Sequence, residues 1–183
     1  LAAGMLIASA KTDPRVRDGF IFKISISRIK VSTLVDGFGD CAIIGFSLYP
    51  WNTAYSLAVI RETRRRWPDA CIIVGGPSLP KRREQITPFM ETHPEIDVLV
   101  SGEGETVFRE YLVAVLEKTS LADVGSIVYR EPTGLQFTTP ASRVKDFSQT
   151  ASPYLDGTFE ALMVAHPGHF TMGMLETNRG CPF

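Results

Sequence analysis

Three short segments of the sequence carry residue types that suit a ligand site, and each follows an apolar run typical of a buried strand. They combine glycines with hydroxyl, aromatic and carboxylate side chains. Glycine lets the backbone approach a ligand closely, but glycine also serves in ordinary turns. A turn is the simpler interpretation of any one segment, whereas three on one sheet edge make a ligand site an equal alternative. The segments are Ser47-Leu48-Tyr49-Pro50-Trp51-Asn52, Gly75-Gly76-Pro77-Ser78 and Ser101-Gly102-Glu103-Gly104-Glu105.

The chemistry of these segments argues against a dinucleotide ligand. Gly102 and Gly104 form only half of a pyrophosphate-binding fingerprint, and the carboxylates of Glu103 and Glu105 would repel a pyrophosphate. Those carboxylates suit a ligand that presents amides or hydroxyls as hydrogen-bond donors, or they simply favour a helix N-terminus. Trp51 offers a flat apolar surface to a large planar ligand, or it is an ordinary core or lid residue.

Cysteine and histidine residues provide one candidate metal ligand. Cys41 and Cys71 lie at the starts of two apolar runs and are interpreted as small core residues. His166 and His169 have a metal-like spacing, but the Pro-Gly pair between them indicates a surface loop. Cys181 differs, because it follows an Asn-Arg-Gly sequence at the end of a predicted strand. Its placement suggests a metal ligand whose partner ligands lie further along the chain.

Alternating apolar patterns predict the elements that position these segments. Helices are predicted over residues 1–11, 52–67, 81–92 and 107–116, and strands over 20–26, 42–48, 71–74, 97–100 and 170–177. Residues 126–139 are predicted to form a hairpin, and residues 140–169 a loop-like linker. Strand–helix units of this length predict an α/β fold, a doubly wound (Rossmann-like) parallel sheet with helices on both faces. We expect the first strand of this sheet to be missing, because the chain opens inside a helix.

Composition narrows the class of protein. A chain of 183 residues with 44% hydrophobic and 21% charged residues is typical of a soluble globular protein, not of a disordered or disulfide-rich one. The net charge of -1 leaves no basic excess for a nucleic-acid partner. No apolar run approaches the roughly 18 residues of a membrane span, so no membrane partner is expected. Three cysteines suit a reducing compartment, and we expect a cytoplasmic protein. The first residue is not Met, so we expect a piece of a longer protein.

The final eight residues resemble the start of the cysteine motif of radical S-adenosylmethionine (radical SAM) enzymes. They read Glu176-Thr177-Asn178-Arg179-Gly180-Cys181-Pro182-Phe183. In that family, three cysteines with CxxxCxxC spacing follow the first strand of a TIM-like barrel. Residues 152–157, Ser-Pro-Tyr-Leu-Asp-Gly, resemble the linker before the barrel in members with an N-terminal cobalamin-binding domain. The three glycine-containing segments resemble the cobalamin-facing loops of that domain.

This resemblance implies a division of the chain and a set of cofactors. Residues 1–139 would form the cobalamin-binding domain, 140–169 the linker, and 170–183 the beginning of the radical SAM barrel. The implied cofactors are cobalamin, a [4Fe-4S] cluster with Cys181 as one ligand, and S-adenosylmethionine, the last two held mainly by the rest of the barrel. The implied cobalamin-binding residues are Ser47, Tyr49, Trp51, Asn52, Gly75, Gly76, Pro77, Ser78, Gly102, Glu103, Gly104 and Glu105.

The resemblance also implies a reaction class. Methyl transfer to an unactivated centre is expected, although some relatives carry out ring contraction or cyclisation. The chain lacks the Asp-x-His-x-x-Gly motif whose histidine ligates cobalt in methionine-synthase-type domains, so cobalt is expected without a protein histidine. An electron-donor protein and a small-molecule or peptide substrate are the expected partners. The 183 residues alone are expected to be inactive.

Two alternatives remain open at this point. The first is a radical SAM enzyme whose Rossmann-like domain is a structural or substrate-docking module without cobalamin. The second is a non-enzymatic cobalamin-binding module, against which the context of Cys181 argues.

Overall fold

The structure, a computed structural model, describes residues 1–26, 28–142, 150–168, 172–174 and 176. Strands and helices alternate through most of this length. The helices are α1 (Ala2–Lys11), α2 (Pro14–Gly19), α3 (Val31–Asp36), α4 (Thr53–Arg66), α5 (Arg83–Thr92), α6 (Gly104–Glu117) and α7 (Glu160–Ala165). The strands are β1 (Ile43–Ser47), β2 (Cys71–Gly75), β3 (Val98–Val100), β4 (Ile127–Glu131) and β5 (Gly134–Phe137). Among the described residues, no helix is both long enough and apolar enough to cross a bilayer.

The five strands form one sheet in the order β1-β2-β3-β4-β5. The first three strands run parallel, as predicted. The predicted hairpin also forms, but it does not follow the sheet as a separate unit. Val100 pairs with Ile127, so β4 and β5 extend the same sheet in the antiparallel direction. The fold is therefore α/β with a mixed sheet, in which the Rossmann-like part is the parallel half.

Helices cover both faces of the sheet, as predicted. On one face, Ile73 and Val98 belong to a buried cluster with Val107 of α6. On the other face, Ile72 packs in a second cluster with Ile60 of α4. Successive residues of a strand point to opposite faces, so a continuous apolar run supplies both clusters.

The predicted strand over residues 20–26 is wrong. Phe20 has an extended backbone, with φ −129° and ψ 142°, but the segment pairs with no other described strand. Phe20 and Phe22 pack against the cluster under α6, and their ring centroids are 6.1 Å apart. Ile21 between them is 93% exposed. The alternation thus reflects aromatic packing, because a strand also needs a neighbour to complete its hydrogen bonds. The missing first strand stays a prediction.

The linker contains a helix that the sequence analysis did not predict. Helix α7, with the sequence Glu-Ala-Leu-Met-Val-Ala, lies inside the stretch interpreted as a loop. The prolines and glycines on both sides of this helix led to the prediction of a loop, but the six residues of the helix include neither. Glu, Ala, Leu and Met are all good helix formers. The predicted strand over 170–177 lies largely outside the described residues, and the domain limits stay predictions.

Asp97 joins three elements at the amino ends of the strands. Its Oδ2 atom accepts the amide hydrogen of Ile72 at 2.7 Å and also pairs with the guanidinium of Arg64. Arg64 in turn donates to the carbonyls of Glu95 at 2.9 Å and Ala70 at 3.0 Å. These bonds tie α4, β2 and the residues before β3 together at the edge opposite the glycine-containing segments.

We predict that Asp97→Ala lowers the free energy of unfolding by about 1–3 kcal/mol, because it leaves the Ile72 amide without its acceptor and Arg64 without its partner. The matched control is Asp69→Ala, which changes an exposed aspartate on the adjoining turn and should shift stability by less than about 0.5 kcal/mol. Urea denaturation of both purified variants measures the difference. Equal losses would contradict the role given to Asp97.

Candidate functional site

The parallel register brings the three glycine-containing segments to one edge of the sheet. Ser47 is paired with Gly75, and Val74 with Leu99, so β1, β2 and β3 all end at the same edge. The segments 47–52, 75–78 and 102–105 follow these strand ends. Ligands in open α/β sheets bind beyond the carboxyl ends of the strands. The geometry thus assembles the segments as the sequence argument requires, while the ligand contacts of individual residues stay predictions.

Asn52 fixes the shape of the first segment. Its Oδ1 atom accepts the amide hydrogen of Tyr49 at 2.7 Å, and its Nδ2 atom donates to the carbonyl of Ser47 at 2.9 Å. Thr53 Oγ1 adds a bond to the carbonyl of Tyr49 at 2.7 Å. Asn52 occupies the N-cap position of α4, as predicted, but its side chain makes no cap hydrogen bond to that helix. The side chain binds the preceding segment instead and holds it in one conformation.

Trp51 and Tyr49 form an aromatic pair at this edge. Their rings stack with centroids 4.7 Å apart and an interplanar angle of 16°. Trp51 is 72% exposed. This exposure excludes the core interpretation of Trp51 and leaves a flat apolar surface available to a planar ligand.

Gly76 is required by the contact between the first two segments. Its φ is +111°, and a Cβ atom there would lie 2.5 Å from the carbonyl oxygen and 2.7 Å from the nitrogen of Leu48. Leu48 donates its N–H to the Gly75 carbonyl at 2.7 Å and accepts from the Ser78 amide at 3.1 Å. Gly76 is therefore required for packing within the protein. The sequence alone had left a ligand contact as an equal alternative for this segment. Sequence reasoning missed Leu48, whose apolar side chain in a polar segment was the available signal.

Gly102 differs from the other glycines at this edge. Its φ is +83°, and a Cβ atom there would meet no atom within 4 Å. A Cβ on Gly104 would come within 2.9 Å of Leu6 Cδ2, so Gly104 lets α1 pack against α6. A Cβ on Gly75 would make an ordinary contact at 3.9 Å with Val100. Of these glycines, Gly102 is the one that offers open space to a ligand.

The remaining residues of the edge differ in burial. Glu105 lies in the first turn of α6 and is 8% exposed, and its carbonyl accepts a hydrogen bond from Ser9 Oγ at 3.2 Å. Its burial favours the helix-terminus role over a ligand contact. Glu103 is half-buried at the N-cap position of the same helix, and Pro77 is exposed.

Ser78 carries a buried hydroxyl that makes no hydrogen bond within the described part of the chain. A buried polar group without a partner costs free energy. Ser78 lies in the segment that follows β2, on the edge where the three segments meet.

Among the described cysteines and histidines, Cys71 lies at the start of a strand, as predicted, whereas His93 and His166 are half-buried and not fully exposed. Cys71 begins β2 at the opposite edge, with its Sγ atom 2.9 Å from Tyr111 Oη. Burial raises the pKa of both groups, so the thiol stays protonated and acts as a core residue. His93 ends α5, also before the amino end of a strand. His169 and Cys181 lie outside the described residues, and no cluster suited to a metal ion occurs within the described ranges.

Comparison with known proteins finds relatives over the whole chain, although no protein-family model matches it. The chain is 35% identical to the 2-(S-pantetheinyl)-carbapenam-3-carboxylate methyltransferase of Streptantibioticus cattleyicolor. It is 31% identical to the cobalamin-dependent radical SAM methyltransferase TokK of Streptomyces tokunonensis. Both alignments cover 100% of this chain, which spans 27% of each relative.

A solved structure shares the fold. It is the radical S-adenosylmethionine methyltransferase TsrM of Kitasatospora setae with cobalamin and a [4Fe-4S] cluster bound. The match has a TM-score of 0.56 at 18% identity and covers 83% of this chain and 28% of the TsrM chain. At this identity the likeness concerns the fold of the described sheet and helices.

We predict that Gly76→Ala destabilises the protein by roughly 2–6 kcal/mol, because the new methyl group meets the Leu48 backbone in a strained conformation. The matched variant is Gly102→Ala, which has a positive φ but open space and should cost only about 1–3 kcal/mol. Thermal unfolding of the two variants without added ligand gives the comparison. A Gly76→Ala variant as stable as Gly102→Ala would show that the segments do not depend on this contact.

Proposed function

Because this chain is related over its full length to cobalamin-dependent radical SAM methyltransferases, we propose that it is the cobalamin-binding part of such an enzyme. The relatives are nearly four times as long, since the chain spans 27% of each. Methyl transfer to an unactivated centre is therefore proposed for the longer protein and not for these residues alone. The observation that carries the proposal is the single sheet edge that joins the exposed Trp51, stacked on Tyr49, to the open backbone at Gly102.

The residues of this edge fit a corrin. The ring is broad and planar, and its rim carries amide groups. The stacked pair of Tyr49 and Trp51 suits the apolar face of the ring, and Gly102 lets the ring or its nucleotide tail lie against backbone. The buried hydroxyl of Ser78 offers a hydrogen-bonding partner to an amide. Cobalamin, when bound, supplies a cobalt centre that carries the transferred methyl group.

The protein itself contributes a preset binding surface and keeps other groups away from the cofactor. Asn52 and the Leu48–Gly76 contact hold two segments in place before any ligand arrives, so little ordering accompanies binding. Trp51 would lie against the ring of the cofactor and keep other side chains and water away from it. His93 lies beside the amino ends of the strands, which supports cobalt without a protein histidine.

The other cofactors and partners of the proposed enzyme belong to its longer chain. We assign one cluster ligand to Cys181 and expect two further cysteines, four and seven positions later, from the CxxxCxxC spacing. The longer protein would hold the cluster and S-adenosylmethionine, which would supply radical chemistry, and its substrate would be a small molecule or a peptide. An electron-donor protein would reduce the cluster. The low cysteine content supports a cytoplasmic location for the whole enzyme.

The proposal predicts that the longer protein binds cobalamin and that Gly102→Leu weakens this binding about tenfold or more, because the new side chain occupies the open space at the edge. The matched control is Gly134→Leu, which has φ +121° and open space but lies in the hairpin turn near the opposite edge. A spectroscopic cobalamin titration of the wild type and both variants measures the effect.

The outcomes of this titration separate the alternatives. A wild-type protein that binds its iron–sulfur cluster but no cobalamin would favour the cobalamin-free radical SAM enzyme. Equal affinities for the Gly102 and Gly134 variants would move the cobalamin site away from this edge. Comparable thermal unfolding of the two variants controls for loss of fold.

We further predict that Trp51→Ala alters the coordination of cobalt more than the stability of the fold, because the exposed ring contributes little to the core. Paramagnetic resonance of the cob(II)alamin state should change in Trp51→Ala and stay unchanged in His93→Ala. Nitrogen splitting from a protein imidazole in the wild-type spectrum is the result that would refute the histidine-free assignment.

A further inference from the structure

The chain after the sheet returns to its first helix at one specific point. A Cβ atom on Gly4 would lie 2.2 Å from Cζ and 2.3 Å from Cε1 of Phe159, and 3.0 Å from the Cβ of Pro153. Glycine inside a helix costs up to about 1 kcal/mol relative to alanine. At this position glycine creates the space in which the Phe159 ring lies. Phe159 is thus seated on α1 although it follows it by more than a hundred residues.

A second contact joins the same two parts of the chain. Lys11 Nζ donates to Thr158 Oγ1 at 3.0 Å. Asp156 holds Thr158 in turn, because its two carboxylate oxygens accept from the Thr158 amide at 2.9 Å and the Thr158 hydroxyl at 2.7 Å. Gly4 and Lys11 are two helical turns apart, so they lie on the same side of α1. The linker is therefore attached to that side at two points.

The attachment continues beyond the linker through Tyr154. Its ring packs edge-on against Phe159, with centroids 5.0 Å apart and an interplanar angle of 74°. Its hydroxyl accepts the amide hydrogen of Met174 at 3.0 Å and lies 3.2 Å from the Met174 carbonyl, to which it donates. Met174 lies two residues before the segment that resembles the radical SAM cysteine motif.

The opposite side of α1 contacts the candidate cobalamin edge. Leu6 packs where a side chain on Gly104 would lie, and Ser9 Oγ donates to the carbonyl of Glu105 at 3.2 Å. At 100° per residue, Leu6 and Ser9 lie across the helix from Gly4 and Lys11. Helix α1 thus lies between the segment 102–105 and the linker.

We infer that α1 and the Gly4–Phe159 contact position the radical SAM domain relative to the cobalamin edge. This inference rests on the proposed function. Transfer of a group between a cofactor on one domain and a substrate held by another depends on placement to within about 1 Å. Gly4, Phe159 and Tyr154 act as positioning residues, since Phe159 contacts both of the others and joins the linker to α1.

The test measures the placement of the two domains in the longer protein. A spin label on Lys81→Cys, an exposed site beside α5, and the reduced iron–sulfur cluster provide two spins for pulsed dipolar resonance. We expect a single narrow distance distribution in the wild type and a roughly twofold broader one in Phe159→Ala. Gly4→Ala should broaden it as well, and Gly4→Ala combined with Phe159→Leu should narrow it again, because the smaller side chain leaves room for the methyl group.

The control is Phe137→Ala, which removes a half-buried ring from β5 and should leave the distribution narrow. An unchanged width in Phe159→Ala, or equal broadening in the control, would overturn the inference. The measurement does not require bound cobalamin, so it can fail or succeed separately from the cobalamin titration. A protein that assembles no cluster would instead refute the proposed function.

Discussion

The close contact between the backbones of Leu48 and Gly76 is the constraint on which the candidate site depends. Parallel pairing brings β1 and β2 together only as far as Ser47 and Gly75. Beyond that point, the chain must turn out of both strands while the two segments stay in contact. The bonds from Leu48 to Gly75 and Ser78 achieve this, and they leave no room for a side chain at Gly76. The preset shape of the edge follows from this contact.

The two edges of the sheet are organised differently. At the amino edge, charged side chains donate hydrogen bonds to backbone carbonyls. Arg64 binds there together with Asp97, and Arg130 donates to the carbonyls of Ile96 at 2.7 Å and His93 at 3.1 Å. At the carboxyl edge, Trp51 stays exposed, and the buried hydroxyl of Ser78 makes no hydrogen bond to the described residues. Hydrogen bonds from charged side chains are therefore a feature of the amino edge, whereas an exposed aromatic ring is a feature of the carboxyl edge.

The sequence predicted those features that local patterns determine. Apolar runs predicted the three parallel strands, and the shared edge of the glycine-containing segments followed from their order alone. Patterns failed where the outcome depends on distant residues. The alternation of residues 20–26 could not reveal that Phe20 and Phe22 pack against helices. The glycines were indistinguishable in the sequence, because the space at each one depends on atoms from another segment of the chain. Leu48 lies against Gly76, and Leu6 lies against Gly104. A Cβ atom on Gly102 would meet no described atom within 4 Å.

Helix α1 shows how one element can link a binding edge to the rest of a longer chain. Its core-facing side includes Ala10, which is 0% exposed and belongs to the buried cluster that contains Val107 of α6. Small residues on a helix bring backbones together, so side chains on neighbouring elements interlock with little freedom to shift. Close packing also occurs at Gly4, where the absence of a side chain leaves room for the ring of Phe159. Because both sides of the helix are held by close contacts, a displacement of the linker would be transmitted to the segment that carries Gly102, and the geometry of the site and the position of the following chain are determined together.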